Sequence, residues 1–222
     1  SDLIPLTAVS SSLVAYFRPG LSMNRPAYTT LPLRIQNPGF TIGMRIRNDG
    51  CRGATRHPNG MNPFIVDGVF DDPTAVVAQM PRPDGPAGRW QRDFRRWDLL
   101  HMSANAVGAA LTPRARELFQ SPTLNASYSA YVRYEGRGMN LPRHVDRNAC
   151  TYTIDVCLAQ GRPWGLWVEG VEYVLEPNQA LCYLGETQEH WREPWTDGEN
   201  WVELLFCHYV EPDHWWWARG IV

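Results

Sequence analysis

The chain has 222 residues, 44% of them hydrophobic and 20% charged, enough for one well-buried core and too short for two comfortable domains. A net charge of -2, with arginines scattered along the chain, gives no field to gather nucleic acid, and no apolar run nears the roughly 20 residues that span a bilayer. All 21 basic residues are arginine, which excludes a Schiff-base lysine and the chemistry that depends on one.

Residues 1–62 are rich in Pro, Gly, Asn and Ser and read as an extension packing on the core, with one strand-like run at residues 41–47. No basic stretch precedes an apolar one, so a secretory signal is not expected. The run from Pro63 to Phe70 predicts a strand and a turn. Asp72 as N-cap and Pro73 in the first turn then predict a helix. Apolar spacing from Asp93 to Leu111 (Phe94, Trp97, Leu100, Ala104, Val107) predicts a second helix, and Thr112-Pro113 opens a third through Phe119.

After Ser121 the pattern changes to six strand candidates, at residues 127–135, 151–159, 164–168, 171–176, 180–185 and 201–210, with Glu169-Gly170 as a tight hairpin turn. Helices followed by an all-strand half predict an α+β fold with a barrel-like sheet, its core spanning residues 63–222. The five cysteines form no CxxC pair, and three lie in apolar runs. They read as reduced core thiols, which makes a cytoplasmic protein the expectation.

His144 and Asp146 are two residues apart, so on a strand both side chains point to one face while Val145 points away. His190, at the start of a later strand region, can supply a third ligand. Two imidazoles and one carboxylate suit a non-haem iron site with open positions for oxygen and a co-substrate. His57, His101 and His214 read as ordinary packed or surface residues, whereas His208 lies on the same strand face as Asn200 and is expected to point inward.

With its HxD and distal histidine, the chain resembles the Fe(II)/2-oxoglutarate dioxygenase superfamily, nearest to its prolyl-hydroxylase-like branch, over roughly residues 63–210. The segments that carry the likeness are YVRYEGRGMNLPRHVDRN and EHWREPWTDGENWVELLF. The resemblance implies a double-stranded β-helix core of the jelly-roll or cupin type, buttressed by the N-terminal helices. It implies Fe(II) on His144, Asp146 and His190, 2-oxoglutarate and O2 as co-substrates, and oxidation of an unactivated C-H bond.

Around the co-substrate the resemblance places Tyr134, matching a tyrosine that bonds the 2-oxoglutarate carboxylate, and Asn200. Where relatives carry a basic residue past the distal histidine, this chain has Glu199 and Asn200, and Glu199 would repel a dicarboxylate. Any cationic anchor must be arginine. Arg192 is the first candidate because it shares a strand face with His190; Arg133 and Arg143 follow.

The substrate expected is a small molecule, an amino acid or carboxylate among the options, with a peptide ranked lower. Two alternatives stand beside this reading: an iron oxygenase independent of 2-oxoglutarate, and a non-catalytic metal-binding β-barrel. The tryptophan triplet Trp215 to Trp217 cannot all face one way on a regular element, and is expected to cap the barrel or form a homodimer contact.

Overall fold

A computed structural model describes residues 61–214 and the backbone of Arg45–Arg47. Contacts divide the chain into Ser1–Asn37 and Pro38–Val222, and every described residue belongs to the second unit. The packing of the N-terminal extension, Cys51, His57 and the tryptophan triplet lie outside the described residues.

Among the described residues, twelve strands and three helices follow one another: β1 (Arg45–Arg47), β2 (Phe64–Asp67), α1 (Pro73–Ala78), β3 (Arg89–Gln91), β4 (Arg96–Leu99), α2 (Met102–Ala110), α3 (Thr112–Leu118), β5 (Asn125–Glu135), β6 (Leu141–His144), β7 (Tyr152–Gln160), β8 (Leu166–Val168), β9 (Val171–Tyr173), β10 (Gln179–Tyr183), β11 (His190–Arg192) and β12 (Trp201–Val210). They form an eight-stranded sheet, β1-β2-β10-β7-β12-β5-β4-β3, and a four-stranded sheet, β6-β11-β8-β9. Every pairing is antiparallel. The chain crosses repeatedly between the two sheets, which makes a double-stranded β-helix.

The large sheet is covered on both faces, and the period of two along its strands shows how. On β7, Ile154, Val156 and Leu158 join the core beneath the helices, while Cys157 joins the core between the sheets. On β12, Leu205, Cys207 and Tyr209 face the helices and Val202 and Leu204 face the barrel. Both faces being buried explains why these strands read as continuous apolar runs.

The first helix starts as its sequence requires. The Asp72 side chain accepts from the Ala75 amide, with Pro73 in the first turn. The predicted helix over Asp93–Leu111 is half right. Arg95 takes a left-handed φ of 50° after a short 3₁₀ turn, the following residues form β4 against the edge of β5, and α2 begins only after His101, whose Nδ1 accepts from the Ser103 amide. His101 is thus a helix cap. All six predicted strands of the second half are present, and Glu169 and Gly170, with φ of 50° and 79°, turn β8 into β9. Among the described residues no helix is long and apolar enough to cross a membrane. The four described cysteines are free and buried.

Candidate metal centre

His144 ends β6, and His190 begins β11. The two are direct cross-strand partners, so the register of the small sheet sets their rings side by side, centroids 4.3 Å apart. Asp146 lies just past the end of β6, where its backbone amide donates to the Gly185 carbonyl at 2.8 Å. That bond ties the β6–β7 connection to the β10–β11 connection and turns the carboxylate between the rings. His144 Nε2 stands 3.6 Å from one Asp146 oxygen and His190 Nε2 3.7 Å from the other. Val145, half exposed, points away as expected.

Each imidazole is held from behind. The Nδ1-H of His144 donates to the Pro142 carbonyl at 2.8 Å, and that of His190 to the Gln188 carbonyl at 2.9 Å. A carbonyl can only accept, so both rings carry a proton on Nδ1, and Nε2, the atom turned towards Asp146, is the one left to offer a lone pair to a cation. Gln188, fully buried, is held in turn by the Leu184 amide and the Met61 carbonyl. Gly185 must be small: a Cβ there would stand 2.5 Å from an Asp146 oxygen and 2.7 Å from the Cys150 carbonyl.

The electrostatics match a cation site. The Asp146 carboxylate beside it favours the protonated ring and raises the His144 pKa, whereas burial lowers that of His190. Burial pushes Asp146 up, but the imidazoles of His144, His190 and His208 beside it win and hold it below the usual carboxylate range. These three atoms lie close enough to share one ion. Among the described residues these three could ligate one ion, which would leave positions open for exogenous groups on an octahedral ion.

His208 points inward, as its strand position implied. It is buried, its Nδ1 is 3.1 Å from Thr153 Oγ1, and it forms with Asp146 and Cys150 a second group able to hold a cation.

The residues expected around a co-substrate divide. Tyr134 faces the barrel interior, fully buried and edge-on to Trp164, and its hydroxyl accepts from Arg96 at 2.8 Å. Arg192 also faces inward, 3% exposed, and its guanidinium lies over Trp164. It is already paired there: Nη2 stands 3.3 Å from Asp155 Oδ2 and Nη1 donates to the Trp164 carbonyl.

Asn200 lies apart from this group. Its side chain accepts from the Arg162 amide and donates to the Arg162 carbonyl, so both its functions are spent on the turn after β7. Arg133 is bound to Glu203 and Glu135, and Arg143 to Glu189 while stacked on Trp191. Asp155 was missed from the sequence. The available signal was a lone acid inside an apolar run, TYTIDVCLA, for which a strand buried on both faces leaves no solvated side.

No protein-family model matches the chain, and neither does any curated protein. Solved structures similar to it include a prolyl-4-hydroxylase from Pseudomonas putida (17% identity, 61% of this chain and 85% of that one, TM-score 0.43). HygX from Streptomyces hygroscopicus, solved with nickel and 2-oxoglutarate, is similar at 12% identity over 68% of this chain and 83% of that one, TM-score 0.46. A prolyl hydroxylase from Trichoplax adhaerens, solved with a hypoxia inducible factor peptide fragment, is similar at 13% identity over 66% and 83%, TM-score 0.47.

Proposed function

We propose that this chain is a non-haem iron(II) oxygenase that oxidises a C-H bond of a small molecule, an amino acid or carboxylate being the first class to test. One observation carries the reading: two Nε2 atoms and a carboxylate converge within reach of one ion, with both Nδ1 protons tied to backbone carbonyls. A structural ion would call for a closed set of four ligands, and three argue instead for an open site. Bound iron(II) supplies activation of dioxygen. The chain's own part is to fix the ligand geometry, to shield the ion on the buried His190 side, and to leave the half-exposed His144 side for entry.

2-Oxoglutarate is the co-substrate that the sequence resemblance brings with the iron. The metal end of the site suits a 2-oxo acid, which chelates through oxygen. The inner end does not suit the distal carboxylate, because Arg192 already holds Asp155 and Asn200 is spent elsewhere. A second reading, an iron oxygenase that does not use 2-oxoglutarate, is favoured by that pairing.

The test is anaerobic titration with Fe(II), followed by oxygen uptake and succinate release across a panel of amino acids and organic acids. We expect one ion per chain, lost in His144→Ala and in Asp146→Ala, since two ligands hold the ion poorly. Stoichiometric iron in His144→Ala would reject the assignment. Oxygen uptake without succinate would select the second reading.

A further inference from the structure

We propose that Asp155 fills the anion seat of this barrel, so that the ligand entering beside the metal is an oxo acid with an uncharged inner end rather than a dicarboxylate. The inference rests on the iron-site reading for the place of that ligand, and on the described interior for its chemistry.

Among the described residues, the cations that face the barrel interior are Arg192 and Arg96, and each is already neutralised by a carboxylate of this chain. Arg192 pairs with Asp155, both nearly fully buried, between the sheets and two residues along β11 from His190. Arg96 pairs with Asp98 at 2.5 Å and donates to the Tyr134 hydroxyl. An arriving carboxylate must either displace Asp155 from Arg192 or share the guanidinium with it at Nε. A displaced side chain loses its counter-ion in a dry interior walled by Cys157, Leu181, Tyr183 and Leu204, and a shared one faces a second anion across the same guanidinium. Two like charges would compete for one guanidinium, and the barrel would hold one negative charge too many.

Among the described residues, two atoms of the pair have no hydrogen-bond partner: Asp155 Oδ1, an acceptor, and Arg192 Nε, a donor. Buried polar atoms without partners are uncommon and point to a missing group. A carboxylate brings acceptors alone and can satisfy only the Nε. A neutral group with one donor and one acceptor, such as a hydroxyl, a carboxamide or a water above an alkyl tail, satisfies both without adding charge. The seat is therefore built for neutral inner ends.

Binding, not turnover, tests this. The full chain is loaded anaerobically with Co(II), and the affinities of 2-oxoglutarate and of 2-oxopentanoate, which has the same chain length and no distal carboxylate, are measured by calorimetry and by the cobalt absorption spectrum. Wild type should bind 2-oxopentanoate at least as tightly as 2-oxoglutarate. Asp155→Asn, which frees Arg192, should bind 2-oxoglutarate about tenfold or more tighter than wild type and leave 2-oxopentanoate within a factor of about three. Asp155→Asn/Arg192→Gln should lose that gain.

Should Asp155→Asn be too unstable for calorimetry, 2-oxoglutarate should raise its melting temperature more than that of wild type, and an equal or smaller rise counts against the proposal. Tenfold tighter 2-oxoglutarate than 2-oxopentanoate in wild type, or no gain in Asp155→Asn, would overturn the proposal while leaving the metal centre intact. Failure to take up Co(II), by contrast, would remove the iron-site reading itself and this inference with it.

Discussion

A single carboxylate, Asp155, controls the character of the barrel interior. Burial pushes its pKa from 3.8 up to about 6, against the pull of the Arg192 guanidinium beside it. Between those two values the folded chain holds a proton that the unfolded chain has released, so its contribution to stability is present at low pH and is lost as pH rises from about 4 to about 6. His208 acts in the opposite sense: burial holds it at about 4 against 6.5, so its contribution grows with pH across an overlapping window. The two slopes mask each other in wild type and separate by difference. In metal-free protein, Asp155→Asn should gain stability relative to wild type between about pH 4 and about pH 6, by a few kcal/mol at most. Urea unfolding across that range measures it, and parallel profiles for the two proteins would show that Asp155 titrates as an ordinary carboxylate.

The same residue shows the limit of reading sites from sequence. His144, Asp146 and His190 were legible because a spacing of two fixes a shared face and because histidine is scarce. Arg192 was legible as inward-pointing by the same rule. Its partner was not, because a lone acid in a strand ordinarily marks a solvent face. Only the sandwiching of β7 between the helices and the small sheet turns that acid into a buried ion.

At the scale of elements, α2 is fixed to β5 and β12 by close backbone approach. The Tyr209 hydroxyl donates to the Gly108 carbonyl at 2.9 Å, and the Ser129 amide donates to Asn105 Oδ1 at 2.7 Å. A Cβ on Gly108 would stand 1.9 Å from Ser129 Oγ and 3.2 Å from Ser129 Cβ. Two effects compete in Gly108→Ala. Helix propensity favours alanine by about 1 kcal/mol, while overpacking costs about 1–3 kcal/mol, and more when both the helix and the strand must shift. Overpacking wins on these distances. The variant should lose about 1–2 kcal/mol in chemical denaturation, and equal or greater stability would show that the helix slides freely on the sheet. The neighbouring misreading has a related cause. Phe94, Trp97 and Leu100 fit a helical period, but the open edge of β5 offers backbone partners, and β4 takes them. Tertiary pairing overrode a local pattern.

For the molecule as a whole, the candidate metal ligands come from three stretches that only the finished fold brings together: the end of β6, the connection after it, and β11. An ion that binds this arrangement and not the unfolded chain stabilises the fold by mass action, about 2.7 kcal/mol at a free concentration a hundredfold above Kd. For a chain of this size that is a rise in Tm of roughly 5–10 °C. The Asp146 amide bond to Gly185 passes the gain to the β10–β11 connection, so the stabilised unit includes both sheets. Anaerobic Fe(II) or Co(II) should therefore raise Tm in wild type, in proportion to the logarithm of metal concentration once the site is saturated. The rise should vanish in His190→Ala, and Mg(II) at the same concentration should give little of it, since imidazole ligands discriminate against a hard ion. A rise in His190→Ala as large as in wild type would place the ion elsewhere, and with it the open coordination positions on which an oxygenase depends.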